Sequence, residues 1–215
     1  MNTQRSQGIE RGVGEAPLSE RPTFNILISG VGGQGVVLAS YVLSRVALAE
    51  GYDVKQSEVH GMAQRGGCVT SHLRFGDRVY SSLITPGTVD VLLSFESVEA
   101  MRYVHWLKPG GLLVYNAARV NPSTVSSGAA EYPEGIEERI AAAWPNVRAV
   151  DASALAAKAG TVKAANVVML GAMASALPFT PEMLESVIRR SVPPKTLDVN
   201  LEAFRLGREV GAVAV

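Results

Sequence analysis

Cysteine is almost missing from the 215 residues: Cys68 stands alone. One thiol forms no intrachain disulfide, and this chain by itself ligates neither an iron–sulfur cluster nor a Cys-rich zinc site. Any redox metal chemistry therefore falls to another chain. An excess of one charge is also missing, with Lys plus Arg and Asp plus Glu at 20 each. That balance leaves no electrostatic footprint for general nucleic-acid binding. No apolar run is as long as a membrane span. Residues 1–23 lack a signal-peptide core and mix Arg5, Arg11 and Arg21 with Glu10, Glu15 and Glu20. The expectation is a cytoplasmic protein, off the membrane, with a disordered leader over 1–23 and a single domain over 24–215. Charged residues make up only 19% against 47% hydrophobic, an imbalance that points to apolar surface covered by a partner.

What is present begins with glycine. Gly30-Val31-Gly32-Gly33-Gln34-Gly35 follows the apolar run Phe24-Asn25-Ile26-Leu27-Ile28-Ser29 and precedes Val36-Val37-Leu38-Ala39-Ser40-Tyr41. Strand, glycine turn and helix are written in that order, and Gly30, Gly32 and Gly35 satisfy the G-x-G-x-x-G spacing of a dinucleotide loop. Glycines let backbone approach a ligand closely, and the first free amides of the helix face an arriving anion. Gly30, Gly32, Gly33, Gln34 and Gly35 are the candidate cofactor-binding residues. A close strand–helix turn with no ligand is the alternative.

Helical periodicity from Val36 stops at Gly51, and Tyr52–Gln56 reads as a second strand completing a right-handed βαβ unit. Neither Asp53 nor Glu58 sits where a ribose-binding acid belongs. Ser57–Gly67 reads as a glycine-punctuated polar loop. Val69–Phe75 and Val79–Ile84 alternate around Gly76-Asp77 as a hairpin. Val89–Phe95 is a continuous apolar run of the kind buried on both faces of a parallel sheet. A helix over Glu96–Leu107 stopped by Lys108-Pro109-Gly110-Gly111 and a strand over Leu112–Asn116 follow. Helices over Gly135–Trp144, Ser153–Lys158, Lys163–Leu177, Pro181–Arg190 and Asp198–Val210 and a strand over Val147–Val150 complete the chain. The expected fold is a three-layer α/β/α Rossmann-like domain with a mostly parallel, mixed sheet and a β-hairpin insertion.

Four stretches carry a family resemblance: Ser29–Val36, Ser57–Gly67 (Ser-Glu-Val-His-Gly-Met-Ala-Gln-Arg-Gly-Gly), Asn166–Gly171 and Asn200–Gly207. The chain resembles the gamma-type domain of the 2-oxoacid:ferredoxin oxidoreductases, most closely the small subunit of the indolepyruvate branch. The resemblance implies a subunit of a complex that oxidatively decarboxylates an aryl 2-oxoacid to an acyl-CoA, carbon dioxide and reduced ferredoxin. It further implies a large alpha partner holding thiamine diphosphate and the iron–sulfur clusters, and it places this domain beside the coenzyme A route. The lone Cys68 agrees with that division. No catalytic residue is carried over, and the chain alone is expected to be inactive.

Within the second stretch, Glu58, His60, Gln64 and Arg65 are candidates for a substrate or interface loop. Arg65 would grip a carboxylate or phosphate through its planar fork, and His60 would move protons near neutral pH. An interface loop whose polar groups satisfy one another is the plainer reading. Cys68 reads as a packed thiol rather than a nucleophile, and His72 and His105 lack the spacing of a metal pair. Two further functions stay open: a stand-alone NAD- or FAD-dependent oxidoreductase, and a non-catalytic scaffold that clamps a partner.

Overall fold

The computed structural model describes residues 21–60, 67–117, 119, 125, 127–129 and 131–213. Most of the expected leader lies outside the described residues. Of its last three, Arg21 is tied down: its guanidinium pairs with Asp77 at 2.6 Å, donates to the Glu50 and Gly51 carbonyls and stacks on Tyr52.

Six strands form one sheet. β1 (Phe24–Val31), β2 (Asp53–His60), β3 (Cys68–Gly76), β4 (Val89–Ser94), β5 (Leu107–Asn116) and β6 (Val147–Val150) lie in the order β2-β3-β1-β4-β5-β6. β1, β4, β5 and β6 run parallel, and β3 runs against both β1 and β2. The sheet is therefore mixed and mostly parallel. Its two faces separate by the period of two: Ile26, Ile28, Val91, Leu93 and Val114 face one core, and Leu27, Leu92 and Leu113 face the other. The first core is covered by α1 (Val36–Ala49) and the C-terminal helices. The second is covered by α2 (Ser97–Tyr103) and α3 (Ile136–Ala143).

Four expectations are corrected. The strand after α1 does not complete a parallel unit with β1; it forms the sheet edge and pairs only with β3. The hairpin is β2–β3 rather than β3 with Val79–Ile84. Backbone groups of that later segment are taken by side chains instead of a strand: Val79 N donates to Asp53 (2.8 Å), Ile84 N to His72 Nδ1 (3.2 Å), and Arg74 donates to the Ser81 and Leu83 carbonyls. Ser57–His60, expected in a loop, extend β2, while residues 61–66 lie outside the described residues. Lys108–Gly111, expected as a helix stop, are absorbed into β5, whose ladder with β4 shifts register between Val89 and Val91.

After β6 come α4 (Ala152–Ala159), α5 (Ala165–Met173), α6 (Pro181–Ser191) and α7 (Leu197–Val213). α5 is buried along its length, with Asn166–Met173 all inside. Its backbone meets α7 so closely that a Cβ added at Gly171 or Gly207 would lie 2.2 or 2.0 Å from a carbonyl oxygen of the facing helix. Glycine is required there by approach, not by dihedral angle.

Candidate coenzyme site at the glycine turn

β1 and β4 are parallel neighbours whose following helices, α1 and α2, cover opposite faces of the sheet. The carboxyl ends of such a pair form the crevice where open α/β sheets bind ligands. The glycine turn closes over this point. Gln34 N donates to the Val31 carbonyl at 3.1 Å, and Gly32 N donates to the Gly67 carbonyl at 3.0 Å, joining the turn to the start of β3. The Gln34 side chain fills the gap between strands: its Oε1 accepts from Val31 N at 2.7 Å, and its Nε2 donates to the Phe95 carbonyl at 3.1 Å. Gly30 lies inside β1, and a Cβ there would meet Gln34 Oε1 at 2.9 Å and Phe95 at 3.0 Å. Gly30 thus makes room for the brace. Gly33 is exposed and Gly32 and Gly35 are half-buried on the outer side of the turn, with Gly33 and Gly35 at φ 101° and 87°.

Outside the turn is a cleft of about 590 Å³ lined by Val31, Gly32, Gly33, Gly35, the α1 residues Val36–Leu38 and Tyr41, and by Val69 and His60. α1 begins without a side-chain cap and without an acidic residue in its first turn. Its first amides have no acceptor within the helix. The cleft therefore offers a positive dipole end beside a mainly apolar wall.

Register brings in His60. It sits opposite Val69, which sits opposite Gly30, so the three lie on one line across β2, β3 and β1, roughly 10 Å in all. His60 Nε2 lies 3.3 Å from Glu58 Oε2, so two of the four loop candidates form a pair at the cleft rim. Gln64 and Arg65 lie outside the described residues.

Cys68 opens β3 beneath the turn. Its thiol donates to Glu99 Oε2 at 2.8 Å and lies 3.4 Å from the Tyr103 hydroxyl. Burial first, and then the Glu99 carboxylate, push it up to about 11. It stays protonated near neutrality, which removes its nucleophilic form. His72 is buried, accepts at Nδ1 and packs edge-on against Trp106; burial lowers its pKa and keeps it neutral. Among the described residues no group of three or more His, Cys, Asp or Glu side chains could hold a metal ion. No described helix is long and apolar enough to cross a membrane.

Residues not singled out as binding groups complete the site. Tyr41 was visible only as a helix residue, and the Gly67 and Phe95 carbonyls carry no side-chain signal. Asn166 lay in a recognisable stretch but without a partner to give it a role. It packs on Gly35, whose Cβ position is 2.4 Å from Asn166 Nδ2.

Comparison with known proteins gives the family. The family model described as pyruvate ferredoxin/flavodoxin oxidoreductase matches residues 25–210. The chain belongs to that family, as a small subunit of an oxidoreductase complex. It is 46% identical over 192 residues to the indolepyruvate oxidoreductase subunit IorB of Thermococcus kodakarensis, covering 86% of this chain and 94% of the relative. The subunit of the same name from Pyrococcus horikoshii is 48% identical over 190 residues, with the same coverage. Among solved structures, the gamma subunit of a keto/oxoacid ferredoxin oxidoreductase from Geobacter sulfurreducens is 25% identical with a TM-score of 0.64, covering 89% of this chain and 99% of that one. A 2-oxoglutarate:ferredoxin oxidoreductase from Magnetococcus marinus, solved with 2-oxoglutarate, coenzyme A and succinyl-CoA, shares the fold. It has a TM-score of 0.68 at 20% identity, over 90% of this chain and 32% of that one.

Proposed function

We propose that this chain is the non-thiamine subunit of an oxidoreductase acting on an aryl 2-oxoacid of the indolepyruvate type, and that its glycine turn receives the phosphate portion of coenzyme A. The observation that carries the substrate class is the 46–48% identity, over nearly their full length, to indolepyruvate oxidoreductase subunits. The cleft carries the coenzyme reading. Gly32, Gly33 and Gly35 present bare backbone, the first turn of α1 presents unpaired amides, and the apolar wall from Val36 to Tyr41 suits the uncharged part of a long coenzyme. Gln34 acts by holding the turn in shape. The bound coenzyme A of the Magnetococcus enzyme, which shares this fold, supports the reading.

Decarboxylation and electron transfer belong to the partner in this scheme. Thiamine diphosphate would supply the carbanion chemistry and iron–sulfur clusters the route to ferredoxin. A chain with one cysteine, its thiol engaged with Glu99, does not fit a cluster of four thiolate ligands. Glu58 and His60 stand at the cleft rim, where the partner's active site would open. The protein works in the cytoplasm with a large alpha subunit.

The test is steady-state kinetics of the complex reconstituted with its large partner. Gly32→Asp puts a carboxylate into the anion cradle, and the KM for coenzyme A should rise at least tenfold, about 1.4 kcal/mol, with the KM for the oxoacid unchanged. An unchanged coenzyme A saturation curve in an intact complex would refute the cradle. Turnover by the purified chain without its partner would refute the division of labour.

A further inference from the structure

A second helix start meets the glycine turn. Asn166 is the second residue of α5, is only 7% exposed, and accepts from Val167 N through Oδ1 at 3.0 Å. That contact fixes the amide, because the atom facing an N–H must be the oxygen and the other must be the NH2 group. The NH2 group has no hydrogen-bond partner among the described residues. It is not sealed in the core either, since the only fully enclosed and unpartnered side-chain nitrogen or oxygen among those residues is Arg148 Nε. Its place is shown by Gly35, whose Cβ would lie 2.4 Å from Asn166 Nδ2. Gly35 immediately precedes α1, so a buried amide with two unused hydrogens stands beside the first turn of α1. α1 has neither a side-chain cap nor an acidic residue in its first turn, whereas α5 continues from a 3-10 turn over Val162–Ala164 that Thr161 caps.

We propose that Asn166 is a ligand-binding residue of the glycine-turn site, donating through Nδ2 to a phosphate oxygen of a pyrophosphate-bearing coenzyme seated at the start of α1 beside Gly35. The inference rests on the coenzyme reading given above and deepens it. A neutral donor suits the place. A neutral amide adds direction to the positive end of the α1 dipole without the cost of burying a charge. It also explains Gly35 twice over: the backbone is left-handed at φ 87°, and any side chain would displace the Asn166 amide.

The decisive variant is Asn166→Asp, which keeps the shape and replaces the donor by a carboxylate. Titration calorimetry of the full chain with inorganic pyrophosphate and with coenzyme A is read beside the KM for coenzyme A of the reconstituted complex. The expected result is a loss of affinity on the order of tenfold to a hundredfold for both ligands, with the oxoacid KM unchanged. Asn166→Ala, which loses the donor without adding charge, should lie between wild type and Asn166→Asp, and it carries the test if the aspartate variant does not fold. Wild-type affinity in the folded variants, while Gly32→Asp still weakens coenzyme A, would overturn the role of Asn166 and leave the cradle standing. Binding of neither ligand by the wild-type chain or complex would overturn both.

Discussion

Gly35→Ala isolates the physics that shapes the candidate site. Two costs act at once. An alanine at φ 87° is left-handed, at about 1–2 kcal/mol. Its methyl would also lie 2.4 Å from Asn166 Nδ2 and 2.9 Å from Cγ, a clash that forces the asparagine out of its place between two helices, at about 1–3 kcal/mol. Stiffening of the unfolded chain returns roughly 0.5 kcal/mol. The net loss should be about 2–4 kcal/mol. In an Asn166→Ala background only that residue's Cβ remains in the way, at 3.1 Å, and the penalty should shrink to about 1 kcal/mol. Urea unfolding of the four proteins, followed by circular dichroism, closes the cycle. A coupling of about 1–3 kcal/mol is expected, well above the roughly 0.5 kcal/mol at which independent sites add. Additive losses would show that Asn166 does not occupy the space against Gly35, and the phosphate-donor argument would fall with it.

Gly207→Ala should lower the melting temperature, because its methyl would lie 2.0 Å from the Val168 carbonyl oxygen and no backbone carbonyl can rotate away; a net loss of about 1–2 kcal/mol remains after the helix-propensity gain, and an unchanged or raised melting temperature would refute the close α5–α7 seam. Cys68 should react slowly with iodoacetamide at pH 8, its rate climbing toward a midpoint at about 11, whereas a midpoint at the ordinary 9.0 would show that burial and Glu99 do not hold the thiol. The sign for stability follows: between those values the unfolded thiol has lost its proton and the folded one has not, so stability falls as pH rises through that window. For His72 the direction is reversed. Burial lowers its pKa below 6.5, so the unfolded chain takes up the proton first and stability falls as pH drops through about 6.5; a His72→Gln variant with the same slope would show that another group is responsible.

The parallel half of the sheet was legible because strands buried on both faces read as unbroken apolar runs, as Val89–Phe95 does. The edge was not. β2 is half exposed along its length, so Ser57–His60 carry no alternation and read as loop, yet their partners Val69–His72 hold them in the ladder. Val79–Ile84 deceives in the opposite way. It alternates like a strand, but Asp53, His72 and Arg74 satisfy its backbone from the side, and a sequence period cannot distinguish a side-chain acceptor from a neighbouring strand.

The same distinction governs the site. The glycine turn is local chemistry, and its strand–turn–helix context was readable in one pass. What makes it particular is non-local: the register that sets His60 in line with Gly30, the Phe95 carbonyl that receives Gln34, and the packing of α5 on α1 that sets Asn166 against Gly35. Gln34 bridges Val31 N and the Phe95 carbonyl, so the free amides of α1 on the outer side of the turn are what the fold leaves open to an anion. That outward placement fits the proposed function, in which this chain holds the phosphates of a coenzyme whose reactive end reaches the partner subunit.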